Sequence, residues 1–310
     1  MQTKAKSGSF DIRWNRFELA LSKRTYIMGI LNRTPDSFSD GGLFMDAKDA
    51  IKRAHQMISE GADIIDIGGE STRPGAEPVS TDEEIARVIP VIEAISKSID
   101  IPISIDTYKA GVAAEAMKAG AAIINDVTAL TGDPDMAGVA AKFDVPVVLM
   151  HMKGRPKTMQ QDINYGSLIE DIIDSLRRSI DLAVRAGVDS NKIIVDPGIG
   201  FGKTVEHNFE ILNRLEEFKV LDKPILVGAS RKSFITKTLA KSGVSENDIK
   251  NSDALMGGAA CAAISIAKSA SILRVHDVKE MVEVARIADA VNMAAKRHGV
   301  RKDDFECFNA

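Results

Sequence analysis

DIIDIGGESTRPGAEPVSTDEEIARVIPVIEAISKSIDIPISID, residues 63–106, contains one full period of the pattern that sets the architecture. An apolar run, Asp63–Ile67, stops at a pair of glycines and gives way to a polar loop carrying Glu70-Ser71-Thr72-Arg73. The stretch Thr81–Ser98 follows with helical spacing, and the Ser80-Thr81 pair at its start suits a helix N-cap. A second apolar run, Ile103–Ile105, then closes on Asp106. Strand, helix, strand in this order predicts parallel strands joined by a crossover helix.

Outward from this unit the pattern repeats. Candidate strands are Tyr26–Leu31, Asp63–Ile67, Ile103–Ile105, Ala122–Ile124, Val145–Met150, Lys192–Val195, Ile225–Val227 and Ile272–Val275. Helical stretches include Asp46–Glu60, Leu168–Ala186, Ser252–Ser269 and Val278–Lys296. Eight strand-then-helix units are the count of a TIM (β/α)8 barrel. A doubly wound open sheet would show the same alternation, but it would gather its functional groups near one switch point. Here every strand ends in them: Asn32, Glu70 to Arg73, Asp106, Asn125-Asp126, His151, Asp196, Ser230-Arg231-Lys232, and Arg274 with His276-Asp277. That distribution is the barrel's.

No linker or low-complexity segment divides the chain. The expected organisation is an extension over residues 1–24, one barrel over 25–297 and a tail over 298–310. Within the extension, FDIRWNRFELAL has the alternation of a β-hairpin that would plug the barrel floor. The 310 residues are 45% apolar and 27% charged, enough for a sizeable core. Net charge is -4, from 40 basic and 44 acidic side chains interspersed throughout, so no basic face advertises nucleic acid or an anionic membrane. MQTKAKSGSF lacks the apolar middle of a signal peptide, and Ala254–Ala267 is too short to span a bilayer and reads as a buried helix. Cys261 and Cys307 are too few for a disulfide framework, so a reduced, cytoplasmic protein is expected.

Asp106, Asn125 and Asp196 end separate strands and suit a ring with adjacent N–H donors, because a carboxylate accepts two parallel hydrogen bonds from an amino-pyrimidine edge. Polar filling of the barrel top is the plainer alternative. Lys232, Arg274 and His276 follow strands seven and eight, where barrels bind phosphate. Two Gly- and Pro-bearing loops, Leu31–Gly42 and Gly68–Ser80, are long enough to fold over a site. DPGIGFGKT, 196–204, fails as a nucleotide motif because Pro197 and Lys203 stand where glycines are required. It remains an acidic strand end followed by a glycine loop that presents Phe201, an aromatic able to cover a flat ligand. His55, His207 and His298 read as ordinary surface or core groups, and His151, between two methionines, stays open.

LNRTPDSFSDGG, DIGGESTRPGA, SIDTYK, INDV, LMHMKGRPKTMQ, DPGIGFGKT, GASRKSF and RVHDV, in this order across nearly the whole barrel, resemble the motifs of the dihydropteroate synthase family. The resemblance implies a transferase of folate biosynthesis, the target of sulfonamides, that joins a dihydropterin diphosphate to p-aminobenzoate and releases pyrophosphate. It implies that Asp106, Asn125, Asp196 and Lys232 hold the pterin over Met150. Asn32, Arg274 and His276 would hold the diphosphate, and Asn32 the Mg²⁺. Thr72, Arg73, Pro74, Phe201 and Ser233 would form the p-aminobenzoate pocket. Asn32, Asp106, Lys232, Arg274 and His276 would carry the catalytic roles in a homodimer, with the small-residue run Gly257–Ala270 able to pack closely against another helix. One departure is Arg33, where the family has valine; it would strengthen the anion pocket or lie on an outer face.

Three other functions compete. A pterin-dependent methyltransferase shares such a barrel but needs no diphosphate pocket, which SRKSF and RVHDV supply here. A non-catalytic pterin binder would not keep polar groups at every strand end. A Schiff-base aldolase using Lys232 is disfavoured because Arg231 and the anion pocket give that lysine a simpler task.

Overall fold

The structure is a computed structural model that describes residues 10–33, 47–72, 75–154, 159, 163–252 and 254–297. Strands β3 (Tyr26–Asn32), β4 (Ile64–Gly68), β5 (Ile103–Asp106), β6 (Ile123–Asp126), β7 (Val147–Met150), β8 (Ile193–Asp196), β9 (Ile225–Val227) and β10 (Ala270–Val275) form a closed parallel barrel. Closure is explicit, since β10 pairs with β3 on one edge and with β9 on the other. Between the strands lie α1 (Ala47–Glu60), α2 (Thr81–Ile95), α3 (Ala110–Ala119), α4 (Met136–Phe143), α5 (Leu168–Arg185), α6 (Val205–Asn213), α7 (Ser233–Lys241), α8 (Glu246–Asn251) and α9 (Leu255–Ala267). The last helix is α10 (Val278–Arg297). The strands are buried on both faces, the consequence of a sheet walled by helices outside and filled by side chains inside.

The parallel register decides which side chains enter the barrel. Ile30 lies opposite Asp66, Asp66 opposite Ser104, Gly68 opposite Asp106, and Asp106 opposite Asn125. Asn125 in turn meets Val148, and Met150 meets Asp196. Paired residues point to the same side and the side-chain period is two, so Asp66, Asp106, Asn125, Met150 and Asp196 share the inner face. Several strands end one or two residues later than the sequence predicts. Asp106, Asn125 and Asp196 are therefore ladder residues, held by backbone pairing, instead of the first residues of loops.

Below the barrel, β1 (Asp11–Trp14) and β2 (Phe17–Ala20) form the expected hairpin, with Trp14 opposite Phe17. The buried Trp14 indole donates to the Ala122 carbonyl at 2.8 Å, just before β6, which fixes the hairpin against the floor. The predicted helix over Ser252–Ser269 needs correction: the chain breaks at Ala254, whose φ of +53° is left-handed, and α9 begins at Leu255. Nor is this helix wholly buried. Cys261, Ala262, Ser265 and Ile266 face inward, while Met256 and Ile264 are exposed, as are Ile287 and Val291 on α10, which packs against α9. The small-residue run is used within the chain, since a side chain at Gly257 would meet Ile235 Cγ2 at 2.4 Å. Among the described residues no helix is long and apolar enough to cross a membrane.

Candidate active site

At the carboxyl ends of the strands the inner face converges on one buried polar network. Arg274 donates through Nε to Asp66 Oδ2 at 2.6 Å and through Nη2 to Asp106 Oδ2 at 2.5 Å. Asn125 Nδ2 donates to the same Asp66 oxygen at 3.2 Å. Asp66 Oδ1 and Asp106 Oδ1 are buried and have no hydrogen-bond partner. Buried acceptors are normally satisfied, so two on carboxylates bound by the same guanidinium mark a place for N–H donors. Burial pushes the Asp106 carboxyl upward against the pull of the Arg274 guanidinium, and Asp66 adds like charge. Across the barrel, Asp196 Oδ1 accepts from the Gly198 N–H at 2.7 Å, and burial still raises its pKa to about 6.

Next to this network is an apolar cluster separate from the main core, formed by Val127, Met150, Met159 and Phe201 with Tyr108 and Met152. The Lys232 ammonium lies 4.0 Å from the Phe201 ring centroid. Lys232 N-caps α7 in extended conformation, so Ser233 opens that helix at the rim. Arg231, at a left-handed φ of +56°, pairs with Asp277 at 2.6 Å and ties the loop after β9 to the loop after β10. The His276 N–H donates to Ser230 Oγ at 3.2 Å, and that hydroxyl lies 3.0 Å from His276 Nδ1. The Ser230 hydroxyl and His276 Nδ1 thus share one hydrogen bond, whose direction follows the ring tautomer. Burial, then Arg231 and Arg274, lower the His276 pKa to about 3, so the ring is a neutral donor.

The loop after β4 is anchored at both ends. Glu70 accepts from Tyr108 Oη at 2.8 Å and from Lys109 Nζ, which also bonds the Val79 carbonyl at 2.7 Å and Glu84 at 2.6 Å. Thr72 is half-buried at its start, whereas Arg73 and Pro74 lie outside the described residues, as do residues 34–46, His298 and Cys307. Asp126 turns away from the site and caps a turn by accepting from Thr128 and Leu130. Arg33 Nη1 donates to the Arg87 carbonyl on α2 at 2.5 Å, which places its charge on the outer side of the barrel mouth.

Asn32, Asp106, Asn125, Met150, Asp196, Phe201, Lys232, Ser233, Arg274 and His276 thus all gather at one end of the barrel. The finding that modifies the sequence reading concerns Arg274. Its guanidinium pairs with the acceptors assigned to the ring and does not stand with His276 alone. Asp66 was missed, although a charged residue inside the run DIIDIG, two positions before a strand's last residue, was a usable signal. In the sequence Lys203 stands out only as the residue that spoils a glycine motif.

A barrel mouth with unsatisfied carboxylate acceptors beside an aromatic wall defines a binder of flat, N–H-rich rings, and the chain belongs to the family described as "Pterin binding enzyme", which matches residues 28–276. Within that family it groups with dihydropteroate synthases. It is 49% identical over 282 residues to a dihydropteroate synthase of Bacillus subtilis, covering 91% of this chain and 94% of that one. Identity to the Escherichia coli enzyme is 46%, over 88% and 93% of the two chains. The fold matches the Yersinia pestis dihydropteroate synthase, solved with a sulfonamide drug complex, at a TM-score of 0.85 and 44% identity, covering 92% and 99% of the two chains. A Clostridium difficile relative, solved in the presence of pteroic acid, gives 0.79 and 49%, with 87% and 97% coverage.

Proposed function

We propose that this chain is a dihydropteroate-forming transferase: it joins the methylene of a dihydropterin diphosphate to the amino group of p-aminobenzoate and releases pyrophosphate. The observation that carries the assignment is the pair of buried acceptors, Asp66 Oδ1 and Asp106 Oδ1, beside the Met150–Phe201 cluster. Asp106, Asn125 and Asp196 offer the acceptors and donor for an amino-pyrimidine edge, and Met150 packs beneath the ring. As the C–O bond to the diphosphate breaks, its electrons leave with the anion and positive charge develops on the pterin methylene. The carboxylates of Asp106 and Asp196 stabilise that charge. The aniline nitrogen gives its lone pair to the new C–N bond and sheds one proton to water. Thr72, Phe201 and Ser233, with Arg73 and Pro74 by resemblance, would bind the amine.

With the Ser230 hydroxyl donating to Nδ1, the neutral His276 ring would turn its Nε2–H to the departing anion, and Arg274 adds charge beside it. Asn32 ends β3 with its Oδ1 towards Gly68, a single neutral oxygen donor. That fits Mg²⁺, which takes one or two protein oxygens and completes its shell with substrate phosphates and water. Bound there, the ion would neutralise the diphosphate. A homodimer is supported by the exposed apolar side chains Met256, Ile264, Ile287 and Val291 on adjacent helices. A reducing, cytoplasmic setting is supported by Cys261, a free and buried thiol.

The test is direct. Purified protein supplied with dihydropterin diphosphate, p-aminobenzoate and Mg²⁺ should release pyrophosphate and dihydropteroate in equal amounts, and sulfonamides should compete with p-aminobenzoate. Folded protein that forms no dihydropteroate would remove the reading.

A further inference from the structure

Lys203 is a buried lysine that belongs to neither substrate site as assigned. It follows the glycine loop after β8 and lies just before Thr204, the N-cap of α6. Its ammonium is 3.0 Å from His151 Nδ1, and it donates to the Phe201 carbonyl at 3.0 Å and to the His151 carbonyl at 3.4 Å. Since an ammonium can only donate, Nδ1 is the acceptor and the His151 ring proton sits on Nε2. His151 is therefore neutral; burial and then Lys203 lower its pKa to about 2. Burial likewise lowers Lys203 to about 7, against the attraction of Asp196.

Around this lysine two loops meet backbone to backbone. A side chain at Gly198 would lie 1.8 Å from the His151 carbonyl oxygen, and one at Gly202 would lie 2.7 Å from that of Lys153. The His151 N–H donates to the Asp196 carbonyl at 2.9 Å, and Tyr165 Oη donates to that of Gly202 at 2.9 Å. Phe201 is the one aromatic side chain on this glycine loop, and its ring faces the Lys232 ammonium. With glycines on both sides, its own backbone has little to fix it. The Lys203 contact to its carbonyl supplies a restraint that the local sequence does not.

We propose that Lys203, seated on His151, is a positioning residue for the amine half of the site: by holding the Phe201 carbonyl it sets the Phe201 ring against Lys232 and so determines affinity for p-aminobenzoate while touching neither substrate. This rests on the reading of Phe201 as a wall of the p-aminobenzoate pocket. Removing the ammonium leaves the Phe201 carbonyl and His151 Nδ1 buried without a donor, and the glycine loop relaxes into other conformations. The pterin edge, held by Asp106 and Asn125 on other strands, keeps its partners.

The experiment compares the full chain with Lys203→Met, His151→Leu and His151→Asn at pH 6.5, between the Asp196 carboxyl at about 6 and the Lys203 ammonium at about 7, so that carboxylate and ammonium both prevail in the parent. Turnover of dihydropterin diphosphate with p-aminobenzoate is measured first on the parent, so that its absence counts against the proposed function and not against this inference. In Lys203→Met and His151→Leu, KM for p-aminobenzoate should rise about tenfold or more, a loss of the size expected when a hydrogen bond to a charged group is removed. The dissociation constant of a diphosphate-free pterin, read by calorimetry, should change by less than about threefold in the same proteins, within the spread of peripheral substitutions. His151→Asn retains an acceptor near the Nδ1 position and should restore most of the KM. An unshifted KM in Lys203→Met overturns the proposal, as does a parallel loss of kcat, KM and pterin affinity. If Lys203→Met does not fold, His151→Leu unseats the ammonium from Nδ1 and tests its hold on the Phe201 carbonyl from the other side. Failure of both to fold makes the pair part of the core and also overturns it.

Discussion

Asp196→Asn separates stability from function most cleanly. Burial raises the Asp196 carboxyl from 3.8 to about 6, outweighing the Gly198 N–H and the charges of Lys232, Lys203 and Arg274. A folded-state pKa above the unfolded one means that the native protein holds this proton more tightly. The contribution to stability is fully present below about pH 4 and is lost as pH rises through about 6. Above that, the ionised group costs about 3 kcal/mol, from roughly 2 units at 1.36 kcal/mol each. Asparagine retains an oxygen for the Gly198 N–H and carries no charge. The variant should therefore be more stable than the parent at pH 8 by about 1–3 kcal/mol, and the gain should vanish near pH 4. Pterin affinity should move the other way, because an amide N–H2 now faces the ring's donors, with a loss of about 2 kcal/mol or more. Denaturant midpoints at the two pH values, with calorimetry on a diphosphate-free pterin, measure both halves. A variant less stable than the parent at pH 8, or a difference independent of pH, would refute the claim that the site holds an unfavourably buried carboxylate.

Arg33→Val should leave pyrophosphate affinity unchanged at low and at high salt, because the guanidinium is seated on the Arg87 carbonyl outside the mouth; a salt-dependent loss would return it to the anion pocket. Asp66→Asn removes the charged partner of Arg274 Nε and one acceptor of Asn125, and should weaken pterin binding by about 1–3 kcal/mol although Asp66 lies below the strand ends. Wild-type affinity in a folded Asp66→Asn protein would make that aspartate a filler. Gly198→Ala combines a φ of +71° with a Cβ 1.8 Å from a backbone oxygen, and should lower stability by about 3 kcal/mol or more, read as a fall in Tm. An unchanged Tm would show that the two loops can separate.

The barrel, the floor hairpin, the family and the polar rim are all legible in the order of residues alone. These are local signals: strands such as Ile225–Val227 are short apolar runs, α5 alternates faces at helical spacing, and a residue at a strand end is marked by the change in composition after it. Tertiary structure decided which rim residues meet. Arg274 reaches Asp66 across 208 positions and Asp106 across 168, and no spacing rule links them. Their contact follows from the stagger of parallel strands around a closed barrel, which brings β10 to the level of β4 and β5. His151, undecided in the sequence, is explained by Lys203, 52 residues away, because two loops close on glycines that leave no room between them. Arg33, one residue past Asn32, turns out to α2 while Asn32 ends the inner face: the side-chain period of two sends neighbours to opposite sides, and only the folded chain shows which side holds the site.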